Sequence, residues 1–130
     1  MKLSNRQLMP TEIGGNGLIS GLSDLGKKDL PIKVSYWVKK MSKFALDEFK
    51  CVSDARISIL NKYAELGADG KPLVSNGSVV IKDVALAAKE VEELYSIVFD
   101  FPFDKLKADA LGLDKISPDL LSKLEPILEE

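Results

Sequence analysis

Three acidic side chains on one short stretch, Glu90, Glu92 and Glu93, are the first candidates for chemistry in this chain. Paired carboxylates on a helix can hold magnesium or work as general acid and base. Glu92 and Glu93 are adjacent, however, so on a helix they diverge by about 100° and share a site poorly. A solvated acidic face is the expectation. The segment "GADGKPLVSNGSVVIKD" (67–83) offers Asp69 as the start of a calcium loop. Such a loop needs oxygen ligands at alternating positions and a closing glutamate. Here Lys71 and Pro72 follow, and the next acid is Asp83. "GGNG" (14–17) suggests a phosphate cradle but lacks the preceding strand and the correctly offset lysine.

The chain has no histidine and one cysteine, Cys51. Histidine is the commonest general base and transition-metal ligand, so its absence argues against zinc, haem and Ser-His or Cys-His catalysis. Cys51 cannot form an intramolecular disulfide and is expected to be a small hydrophobe near an apolar helix face. No enzyme activity and no cofactor are expected. The remaining candidates are surfaces for contact. Trp37 stands at the inner edge of a helical apolar stripe and reads as core or as an interface anchor. Phe99, Phe101 and Phe103 alternate in "FDFPF" and read as core or as a docking arm, and Val79 and Ile81 are β-branched residues able to pair with another chain. These six, Trp37, Phe99, Phe101, Phe103, Val79 and Ile81, form the candidate protein interface.

The elements that must position them follow from periodicity and punctuation. Ser4 and Gln7 have capping-box spacing for one helical turn, which Pro10 ends. Leu18, Leu22 and Leu25 share one face of a short helix within 14–26. "DLP" (29–31) starts a long helix, with Asp29 or Leu30 capping and Pro31 in the first turn. Val34, Trp37/Val38, Met41, Phe44/Ala45, Phe49, Val52, Ala55, Ile59 and Tyr63 carry it over 33–66, with Gly67 as its terminal cap. Its outer side bears Lys39, Lys40, Lys43, Asp47 and Lys50, a basic ridge without arginine or interleaved aromatics, so nucleic acid is not expected.

Two turn signals around β-branched residues make 67–83 a β-hairpin between helices, Leu73-Val74 pairing with Val79-Val80 across Ser75–Ser78. Asp83 caps a second helix over 83–98. Pro102 confines "FDFPF" to an edge strand or extended arm. "DKLKADALG" allows a short helix closed by Gly112, and Ser117-Pro118 opens a last helix that Pro126 stops.

The expected fold is therefore α+β and mainly helical, with one long helix and a shorter antiparallel helix joined by a β-hairpin, plus small terminal helices. It forms a single domain over 1–130: short helices in 1–30, helix-hairpin-helix in 31–98, an extended segment and terminal helices in 99–130. Net charge is −2, with nine Lys/Arg against five Asp/Glu in residues 1–50 and nine against fifteen in 51–130. No stretch has signal-peptide or membrane-span character, so a protein without membrane contact is expected.

Across residues 1–110 the chain resembles an uncharacterised family of small tailed-phage proteins, a domain of unknown function. The resemblance is carried by the opening "KLSNRQL" and by the helix start Leu30-Pro31-Ile32-Lys33-Val34-Ser35-Tyr36. Ala55, Arg56, Leu60, Lys62 and Tyr63, the Asp69-Gly70 turn and the acidic "EEL" of the second helix continue it. The glycine-rich stretch 9–22 and the residues after Asp114 fall outside the pattern. The resemblance implies a phage-encoded protein, and the expected function is that of a non-catalytic bacteriophage structural or assembly protein contacting other phage structural proteins in the virion, with an oligomer as one option. The alternative is a regulator in the host cytoplasm that binds and inhibits a host enzyme or defence complex. It assigns no catalytic or binding residue.

Overall fold

In the computed structural model, which describes residues 1–113 and 116–129, local signals set most helix ends. After the strand β1 (Lys2–Ser4), the Ser4 hydroxyl accepts from the Gln7 amide while Gln7 accepts from the Ser4 amide, and α1 (Asn5–Leu8) follows. A 3₁₀ turn at Thr11–Ile13 leads into α2 (Leu18–Gly26), which buries Leu18, Leu22 and Leu25 completely. The intervening "GGNG" is consumed by the backbone itself. Amides of Gly15, Asn16 and Gly17 donate to carbonyls of Pro10, Arg6 and Met9, so none is left to cradle a phosphate. A Cβ on Gly15 would stand 2.0 Å from the Met9 oxygen, which explains the glycine.

The long helix α3 (Ile32–Lys62) has 31 residues, about 47 Å at 1.5 Å per residue. Pro31 occupies its N-cap with no side-chain hydrogen bond, so neither Asp29 nor Leu30 caps it. The helix also stops four residues short of the expected Leu66. Tyr63 is its last cap, not Gly67, because 64–66 gain better partners in extended form. Ala64 bridges Ile81 and Leu66 bridges Pro72, with the Glu65 amide on the Val80 carbonyl at 2.8 Å. The hairpin β2 (Val74–Ser75) and β3 (Ser78–Val79) thus leans on the end of α3. Its loop is two residues rather than four. Asn76 (φ 52°) and Gly77 (φ 78°) give the type I′ geometry that matches strand twist.

Asp83 accepts from the Leu86 amide and opens α4 (Val84–Ser96). Lys62 pairs with Glu90 and Val52 packs with Tyr95, so α4 runs antiparallel to α3. The strand β4 (Val98–Asp100) then pairs antiparallel with β1, Leu3 facing Phe99. This makes "FDFPF" part of a two-stranded ribbon before Pro102. The buried Asn5 secures the corner, donating its side-chain amide to the Leu94 carbonyl and its backbone amide to that of Ile97.

A short strand β5 (Leu106–Lys107), then a 3₁₀ turn at Ala108–Leu111, replaces the helix expected in "DKLKADALG", although Gly112 does close it. Ser117 and Pro118 open α5 (Pro118–Leu124), and Pro126 converts its end to a 3₁₀ turn. β6 (Leu128–Glu129) returns parallel to β5. The chain is thus mainly helical α+β, as its periodicity indicates. One core joins α2, α3, α5 and Phe101. A smaller one holds Met9, Val52 and Tyr95. Cys51, expected as a small hydrophobe near the apolar face of α3, is exposed. Among the described residues, no helix is long and apolar enough to cross a membrane.

Candidate functional site

The acidic trio disperses among separate partners. Glu90 takes the Lys62 ammonium at 2.8 Å, and Glu92 takes the Arg6 guanidinium. The Lys62 hydrogen bond holds the Glu90 carboxyl below the ordinary carboxylate range and raises Lys62 in return. Glu93 joins neither pair. These acids brace α4 and do not converge on one point.

Four of the six candidate interface residues come together. Tyr36 and Trp37 meet edge to face at 5.5 Å and Trp37 and Phe103 at 6.4 Å, while Phe103 and Phe101 lie tilted at 4.8 Å. Phe44 bridges Phe101 and Phe103 from α3 at 5.6 and 5.9 Å, and Phe99 completes the row, 6.5 Å from Phe101. The row runs from solvent to core. Phe101 is fully buried, so it cannot belong to a contact surface. Phe99 and Phe103 are half-buried against the core. Trp37 is 46% exposed and Tyr36 53%, which overturns the placement of Trp37 in the core. The buried stripe of α3 follows Val34, Val38, Met41 and Ala45, and Trp37 stands about 70° from its mean direction.

The same geometry corrects the description of the basic ridge. Lys40 lies 4.9 Å from the Tyr36 ring centroid and 5.7 Å from that of Trp37. Aromatics are therefore interleaved with the lysines. Beside them a cavity of about 240 Å³ opens between Trp37, Met41, Phe103, Asp104, Lys105 and Leu106. Tyr36, Lys40 and Phe44 were absent from the candidates, although the "YWVKK" spacing holds the first two.

The hairpin residues sit elsewhere. Ile81 lines a groove of about 330 Å³ between α3 and α4, with Leu60, Val84, Ala88 and Val91 as its apolar walls. Val79 is half-buried and pairs with Val74. Arg6, Arg56, Glu92 and Tyr95 are its polar lining residues. The Tyr95 hydroxyl donates to the Ile13 carbonyl at 2.8 Å, and burial pushes its pKa upward, against the pull of Arg56 and Arg6. Among the described residues no carboxylate lies within ion-pair distance of Arg56. This groove escaped sequence reasoning because its walls come from three separated segments. Ile81 alone of its lining was among the candidates, and Val84, on the apolar face of α4, is 67% exposed.

Two surfaces thus stand out: an aromatic and lysine-rich face near the start of α3, and an apolar groove near its end. From Trp37 to Leu60 the helix rises about 35 Å. Compared with family models, curated proteins and solved structures, the chain finds no match.

Proposed function

We propose that this chain is a non-catalytic bacteriophage structural or assembly protein that acts through protein–protein contacts in the virion. The observation that carries the reading is the uncovered groove between α3 and α4. Leu60, Ile81, Val84, Ala88 and Val91 present apolar walls to solvent, with the Arg56 guanidinium at the rim. Such an arrangement suits the apolar side chains of a partner segment with a carboxylate close by. The phage setting rests on the sequence resemblance over residues 1–110. The groove supplies the mode of action.

Mass spectrometry of purified particles tests it, with Ala88→Glu as the companion variant. Stoichiometric copies in particles, reduced by Ala88→Glu while the helical circular dichroism is retained, are the expected result. Absence from particles together with early synthesis would overturn the structural role in favour of a host-directed binder.

A further inference from the structure

The exposed face at the start of α3 is a second surface, and its chemistry differs from that of the groove. Lys33, Tyr36, Trp37, Lys40 and Lys43 recur at steps of three or four, so they form one stripe along the helix, and all five are exposed. From Lys33 to Lys43 the stripe covers about 15 Å. Lys105 flanks it across the Trp37 cavity. We infer that this stripe is a binding site for single-stranded nucleic acid, the Tyr36 and Trp37 rings stacking on unpaired bases and the lysines meeting successive phosphates.

Three observations favour this occupant. The two rings stand at 5.5 Å edge to face, and each is about half exposed, so π surface is open to a flat partner. Lys40 covers both rings in the free protein as a cation over π faces. A base can take its place while the ammonium turns to the adjacent phosphate, keeping a favourable partner throughout. Finally, the stripe itself carries Lys33, Lys40 and Lys43 and no acidic residue between them, and Lys105 lines the adjoining cavity opposite Asp104, so its own charge is positive. A duplex hides its base faces, so the rings select single strands.

The only tryptophan of the chain lies in this site, which makes the test direct. An oligothymidylate of about 15 nucleotides is titrated against the full chain in about 50 mM salt while Trp37 emission is recorded. Oligouridylate forms a second arm, and poly-L-glutamate and a duplex of equal length form two more. Variants are compared by anisotropy of the labelled oligomer. Quenching is expected, with affinity falling about twentyfold between about 50 and 200 mM salt for three neutralised phosphates. Trp37→Ala should weaken binding by about tenfold or more, Lys40→Gln should weaken it and lower the salt slope, and Lys89→Gln on α4 should leave it unchanged.

Binding of either oligomer with these effects supports the site, and their ratio tells DNA from RNA. No binding by about 100 µM protein, or binding without quenching and indifferent to Trp37→Ala and Lys40→Gln, would overturn it. Equal affinity for poly-L-glutamate would reassign the stripe to an acidic protein, and equal affinity for duplex would remove the stacking role. Since the groove lies at the other end of α3, neither result alters the particle experiment.

Discussion

Replacing Phe101 by alanine should separate the two possible uses of the "FDFPF" segment, scaffold and detachable arm. Phe101 is fully buried and touches Phe44, Phe99 and Phe103 at ring separations of 5.6, 6.5 and 4.8 Å. Truncating such a ring removes its transfer free energy and leaves a cavity, together about 3–5 kcal/mol. A domain has only about 5–15 kcal/mol in all. For a chain of this length each kcal/mol lowers Tm by about 3–5 °C, so Tm should fall by about 10–20 °C. Phe103→Ala, on a half-buried ring, should cost about 1–2 kcal/mol. Urea unfolding followed by helical circular dichroism measures both, at a slope of about 1–3 kcal/mol per molar. The midpoint for Phe101→Ala should lie clearly below that for Phe103→Ala. Equal midpoints, or a Phe101→Ala loss under about 1 kcal/mol, would mean that residues 98–103 leave the core, and the scaffold assignment would fail.

Other perturbations test single contacts. In Lys62→Gln the Glu90 carboxyl should titrate nearer its ordinary value, as read by NMR. In the parent chain the pair's contribution should be lost on acidification through the lowered Glu90 pKa and, on the alkaline side, as pH rises through the raised Lys62 pKa. Tyr95→Phe removes the donor to the Ile13 carbonyl and should cost about 0.5–1.5 kcal/mol in urea unfolding. Because burial raises the Tyr95 pKa, its share of stability is complete below the unfolded value and is lost as pH climbs through the folded one, and ultraviolet titration should find one tyrosine ionising late. Gly77→Ala meets no atom within 4 Å, so its expected cost of about 1 kcal/mol comes from the left-handed backbone alone and should appear as faster amide exchange in the hairpin.

Local signals made the helices legible. Ser4 with Gln7, Asp83 and Ser117 with Pro118 each satisfy orphan amides within three residues, so nothing distant is needed to read them. The alternation of Phe99, Phe101 and Phe103 was equally plain. What covers each element was not. β1 finds β4 and β5 finds β6 through contacts that leave no mark on short sequence windows. The end of α3 was misplaced for the same reason: Ala64 and Leu66 fit a helical period, yet Ile81 and Pro72 offer them bridges. Trp37 shows the limit at side-chain scale. Periodicity put it near the apolar stripe, but only the neighbours of the helix decide where burial stops.

The pairing of β1 with β4 also bears on how the chain is made. Residues 2–4 leave the ribosome well before residues 98–100 and lack their strand partner until these follow, a wait of about 5–20 s at ordinary elongation rates. During that interval Leu3, almost fully covered in the finished fold, lacks the Phe99 strand that faces it and lies open to water or whatever binds nascent chains. Vectorial synthesis therefore leaves this early-made strand waiting for a late-made partner, and slowing translation between residues 4 and 98 should lengthen its exposure to trigger factors and proteases.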